Sequence, residues 1–68
     1  MQISVFIDKE NKNDKIELQE NSSVKDLLNK LNINPVTVIV SRNNELVLEE
    51  EKLKEKDEIK ILSVISGG

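Results

Sequence analysis

Glycine is scarce in this 68-residue chain, and both of its glycines are the last two residues, Gly67 and Gly68. If usage is taken as random, that is one arrangement out of roughly 2,300 possible pairs, and none is left for turns, where glycine ordinarily serves. A terminus that merely tolerates glycine is the plain alternative. The chemical reading is presentation. Lacking a Cβ, a glycine end threads a narrow channel and adopts conformations closed to other residues, which places the terminal carboxylate deep in a partner's active site. An α-carboxyl titrates at about 3.3–3.7, so it is ionised at neutral pH. It can then attack the α-phosphate of ATP held by another enzyme, giving an acyl-adenylate that a sulfide, a thiol or a lysine displaces. On this reading Gly68 is the reacting group, and Gly67 and Ser66 are its flexible neighbours.

Other chemistry is hard to find. The chain has no Cys and no His, which removes thiol chemistry, the usual zinc sets and the commonest general base. No glycine-rich loop is present to cradle a phosphate, and the adjacent carboxylates Glu49, Glu50 and Glu51 read as a solvated run. No catalytic residue of its own, no metal and no permanently bound cofactor are expected; ATP belongs to the partner. Ten basic against thirteen acidic residues leave a net charge of −3, with one Arg and one aromatic, so the stacking, basic surface of a nucleic-acid binder is missing. Apolar runs reach only three residues, as in Val38-Ile39-Val40, against the ~20 that a bilayer demands. The first residues, Met1-Gln2-Ile3-Ser4-Val5-Phe6-Ile7, carry neither a basic leader nor an apolar signal stretch, so a cytoplasmic protein is expected.

The elements that must position the tail can be read from periodicity. Residues 2 to 7 alternate, Ile3, Val5 and Ile7 against Gln2, Ser4 and Phe6, as a half-buried strand does. A polar stretch from Asp8 to Asp14, with Asn11 and Asn13 tolerant of turn geometry, leads to Ile16 and Leu18 alternating with Lys15, Glu17 and Gln19, which predicts a hairpin. Ser22 or Ser23 can cap a helix whose apolar positions Val24, Leu27, Leu28 and Leu31 share one stripe, ending before Pro35. Val36 to Ser41 is β-branched and alternating, a predicted central strand; Asn43-Asn44 suits a tight turn, and Glu45 to Leu48 returns as a short fourth strand. Glu49 to Lys56 reads as a charged loop or short helical turn anchored by Leu53, and Glu58 to Val64 as a last strand running into the tail. Strands with one long helix predict an α+β fold, a mixed four- to five-stranded sheet with the helix packed across one face.

The opening Met1-Gln2-Ile3 with Val5 resembles the first strand of ubiquitin. The whole element order, with Leu53-Lys54-Glu55-Lys56-Asp57-Glu58-Ile59 leading into a strand and Val64-Ile65-Ser66-Gly67-Gly68 closing the chain, resembles the thiamin-synthesis and molybdopterin-synthesis sulfur carriers and the archaeal ubiquitin-like small modifiers. The resemblance spans the chain and implies a ubiquitin-like β-grasp domain over residues 1–64 with a flexible tail at 65–68. It further implies a terminal glycine adenylated by a ubiquitin-activating-type enzyme and converted to a thiocarboxylate, carried over here to Gly68. A sulfur donor and a downstream sulfur-accepting synthase or thiolase are the implied partners, and the free protein is expected to be a monomer. The acceptor pathway, thiazole, molybdopterin or thiolated tRNA, stays open. Lys56 departs from the family, which usually has glycine before the Asp; a left-handed residue there costs roughly 1–2 kcal/mol without glycine, which leaves that turn open to another geometry.

If Ile3, Val5, Val38, Val40, Ile59 and Ile61 face the helix, then Phe6, Ile39, Leu62 and Val64 form an apolar cluster on the opposite face, beside the tail. A minor second core or scattered exposed residues would explain it blandly. The family resemblance favours a docking patch for the activating enzyme, with Phe6, Ile39 and Leu62 substantially exposed. A protein modifier joined through Gly68 to lysines, and a non-covalent binding domain, are the competing readings.

Overall fold

The computed structural model describes residues 1–64. Strand β1 (Gln2–Ile7) is followed by a 3-10 turn (Asp8–Glu10), β2 (Lys12–Glu17), helix α1 (Val24–Lys30), a second 3-10 turn (Pro35–Thr37), β3 (Val38–Arg42), β4 (Glu45–Val47) and β5 (Glu58–Ser63). The five strands form one mixed sheet in the order β2-β1-β5-β3-β4, with β1 and β5 parallel and the other pairs antiparallel. This is the ubiquitin-like β-grasp architecture.

The period-2 pattern decides which side of the sheet is dry. Ile3, Val5, Val40, Ile59 and Ile61 are buried in one cluster with Val24, Leu27 and Leu28 of α1, as the alternation and the helical stripe require. Val38 is half-buried at its margin. Leu53 is buried in the same cluster, and so is Leu18, which lies just past the end of β2.

Helix α1 begins with a reciprocal capping box. Ser23 Oγ accepts the Asp26 amide at 3.3 Å, and the Asp26 carboxylate accepts the Ser23 amide at 2.9 Å. Two further first-turn amides find acceptors in the charged loop: Val24 donates to the Glu51 carbonyl and Lys25 to the Glu49 carbonyl, each at 2.9 Å. The run from Glu49 to Lys56 therefore does more than face water; its backbone closes the helix N-terminus, and Leu53 pins it down. At the other end Ile33 donates to Leu28 and Asn32 to Asn29, a Schellman closure with Asn32 left-handed at φ 59°.

Several expected boundaries move. β2 starts at Lys12 rather than at Lys15, because the turn closes within Asp8–Asn11, with Asn11 left-handed at φ 49° and donating to the Asp8 carbonyl. Val36 and Thr37 are not strand: Pro35 sets φ for a helical turn, and Asn34 Oδ1 accepts the Val36 amide at 3.0 Å. β3 has neighbours on both sides, but the middle strand of the five is β5. The Asn43-Asn44 turn is as expected, both residues at positive φ between β3 and β4. Lys56 takes the left-handed turn without glycine, at φ 69°, and its amide donates to the Gln2 carbonyl at 2.8 Å.

Candidate functional site

The middle strand of the sheet is also the strand that leads to the tail. β5 is flanked by β1 through Ile7↔Ile61 and by β3 through Val38↔Ser63. Beyond the last β1 pairing, two successive amides are still held: Ser63 donates to both oxygens of the Asp8 carboxylate, at 3.1 and 3.2 Å, and Val64 donates to the Thr37 carbonyl at 3.1 Å. Ser66, Gly67 and Gly68 lie outside the described residues.

The sheet face turned away from α1 carries the predicted patch. Ile39 and Leu62 are direct cross-strand partners, and Phe6 is paired with Lys60, one step along β5 from Leu62 on the same face. Ile39 and Val64 are 41% and 48% exposed, whereas Phe6 and Leu62 are half-buried, less open than expected. Pairing explains the difference. Phe6 has strand neighbours on both sides, Asn13 and Lys60, and Leu62 has Ile39 opposite it on β3, in a strand that the Asp8–Glu10 turn also contacts. The β3–β4 ladder spans only Val40–Arg42, so Ile39 is paired on one side alone.

One patch member escaped the sequence reading. Leu46 on β4 is opposite Ser41, on the same outer face as Ile39, and is 70% exposed. The signal was available: Val47 faces inward opposite Val40, so period 2 turns Leu46 outward. From there a groove of about 460 Å³, bounded by Pro35, Ile39, Leu46 and Leu48, runs toward α1. Lys60 stands inside the patch with its ammonium 3.4 Å from Asn44 Oδ1, so the surface is apolar with one cation. On the half farther from the tail the outer face is polar, built of Gln2, Ser4, Lys15, Glu17 and Glu58.

Among the described residues no group of three or more potential ligands could hold a metal ion, and no helix is long and apolar enough to cross a membrane. What the geometry offers is a sheet whose middle strand, ending at Ser63, runs beside an apolar face.

This is a small ubiquitin-like β-grasp protein, and solved structures agree. It superposes on SAMP1 from Haloferax volcanii with a TM-score of 0.77 at 17% identity, and on the thiamine biosynthesis protein ThiS from Geobacter metallireducens with a TM-score of 0.71 at 23% identity, all of both chains being covered in each case. A ubiquitin-like protein from Caldiarchaeum subterraneum matches with a TM-score of 0.68 at 14% identity, over 98% of this chain and 100% of the other. The ThiS family model matches residues 5–68, and the chain belongs to that family. In sequence it is 38% identical over 53 residues to the sulfur carrier protein TtuB of Thermus thermophilus, which covers 78% of this chain and 82% of that protein.

Proposed function

We propose that this ThiS-family chain is a sulfur carrier that works through the carboxylate of Gly68, activated as an adenylate and loaded as a thiocarboxylate. The observation that carries the reading is the match to the ThiS family through residue 68, on a chain whose glycines are confined to its last two positions. In the first step a Gly68 carboxylate oxygen attacks the α-phosphate of ATP held by a ubiquitin-activating-type enzyme; a P–O bond forms and pyrophosphate leaves. Sulfide delivered by a donor protein then attacks the acyl carbon, the bond to AMP breaks, and a thiocarboxylate remains. That sulfur passes to a downstream synthase or thiolase acting in thiazole, molybdopterin or thiolated-tRNA synthesis, the choice lying with the partner. The outer face with Phe6, Ile39, Leu46, Leu62 and Val64 is the docking surface on this reading, and the cytoplasm is the expected place of work.

Mass spectrometry tests it directly. Incubated with ATP, the activating enzyme and a sulfur donor, the chain should gain the mass of one sulfur-for-oxygen exchange at Gly68. Deleting Gly68 or converting its carboxylate to an amide should abolish activation while circular dichroism and melting stay unchanged. Sulfur transfer by the amidated chain would defeat the reading. So would ladders of conjugates joined through Gly68 to lysines, with no thiocarboxylate under sulfur-replete conditions, which are the signature of a protein modifier.

A further inference from the structure

The last amides before the tail are held from two sides by different means. Successive amides of a strand point to opposite neighbours. Val64 continues the antiparallel ladder onto the Thr37 carbonyl, so the Ser63 amide points toward β1. No β1 residue is paired there, because that strand ends at Ile7 and the chain turns away at Asp8–Glu10. The side chain of Asp8 fills the gap, receiving the Ser63 amide on both carboxylate oxygens across 55 positions of sequence. At 3.1 and 3.2 Å the exposed pair shares one N–H between two oxygens, so what it contributes is a position for the Ser63 amide rather than a large stabilisation. The turn that aims Asp8 is itself closed by the Asn11 amide on the Asp8 carbonyl at 3.1 Å.

We propose that Asp8 is a positioning residue for the tail: by holding the Ser63 amide, its carboxylate fixes the end of β5, the last element before residues 65–68. The consequence is geometric. Four residues span at most roughly 13–14 Å when extended, so a carboxylate delivered into a partner's site has little slack. Releasing Ser63 frees the end of β5 and spreads the positions Gly68 can reach after the sheet face has docked. Misplacement of a reacting atom by even ~1 Å lowers rates strongly, whereas docking itself is unchanged. The role rests on the carrier reading above.

The test uses the full chain, ATP–pyrophosphate exchange with an adenylating enzyme chosen because it turns over the wild type, and amide hydrogen exchange at Ser63. Asp8→Ala should speed exchange at Ser63 and lower kcat about tenfold, with KM for the carrier within about twofold of wild type. Asp8→Asn keeps an amide oxygen able to accept the Ser63 amide and should recover most of kcat. A melt of each variant checks that the fold is intact. If Asp8→Ala frees the Ser63 amide and kcat is unchanged, the bond is structural only and the proposal fails. If KM rises while kcat holds, or if Asp8→Asn is as impaired as Asp8→Ala with Ser63 still protected, Asp8 acts on the partner through its charge and the proposal fails. Should no adenylating enzyme turn over the wild type, the carrier reading fails and takes this role with it.

Discussion

The inner face of the sheet and the apolar patch on its outer face are made of much the same residues and have opposite fates. On the inner side Ile3, Val5, Ile59 and Ile61 are buried under Val24, Leu27 and Leu28; on the outer side Ile39 and Val64 are exposed, and Phe6 and Leu62 half so. Composition does not separate them. What does is α1, the single α-helix among the described residues, seven residues long and able to cover one side only. A small domain with one helix leaves one sheet face uncovered as a matter of construction, and here the apolar part of that face adjoins β5, the last strand before residues 65–68.

The strongest way to sharpen the contrast is to empty the inner face. Leu27→Ala removes a fully buried side chain and should lower unfolding free energy by about 3 kcal/mol in urea titrations, a large share of a small domain's stability. Ile39→Asp puts a charge on the outer face and should change stability by less than about 0.5 kcal/mol, because no charge is buried. The same change should weaken binding to the activating enzyme by about 2 kcal/mol, measured by calorimetry. A melt lowered as far as that of Leu27→Ala would break the distinction between the faces. Smaller again is Lys56→Gly, which relieves the left-handed turn at φ 69° and should raise stability by roughly 0.5–1 kcal/mol, leaving binding alone.

The least effect is expected of acid at the helix N-terminus. The Asp26 carboxyl titrates below its ordinary 3.8, first because the Ser23 amide donates to it and then because the Ser23 hydroxyl does. A folded-state pKa below the unfolded one contributes stability above the unfolded value and loses it as pH falls through the folded value. Asp26→Asn should therefore flatten the fall in melting temperature below pH 3.8 only slightly, since the carboxyl is open to solvent. A large flattening would show that the loop over α1 depends on that charge.

How much of this the sequence disclosed follows from where its signals were clean. β1 and β5 put apolar residues at every second position through Ile3, Val5 and Ile7 and through Ile59 and Ile61, and α1 spaces its apolar residues by three and four, so the inner face is legible in the sequence. β2 opens with Lys12, Asn13, Asp14 and Lys15, all exposed on an edge strand, so alternation gave no start point. Val36 and Thr37 have strand composition, yet a proline after a capping asparagine made them helical. The absence of turn glycines is explained by asparagine: Asn11, Asn21, Asn32, Asn43 and Asn44 all take positive φ, as does Lys56. Leu46 is legible from period 2 once Val47 is set inward, whereas Asp8 has the composition of a turn residue and its partner Ser63 emerges only from the β1–β5 register.

That parallel register also has a mechanical meaning. β1 and β5, early and late in the chain, lie side by side in the same direction, paired from Ser4↔Glu58 to Ile7↔Ile61. A force drawing β1 and β5 apart along their length loads those bonds in shear, all together, whereas the same force on an antiparallel hairpin such as β1–β2 peels its bonds one after another. Forced unfolding is governed by a rate rather than by equilibrium stability. A pull between the start of β1 and the end of β5 therefore meets its resistance in that shared ladder, the first and last strands of the fold guarding each other.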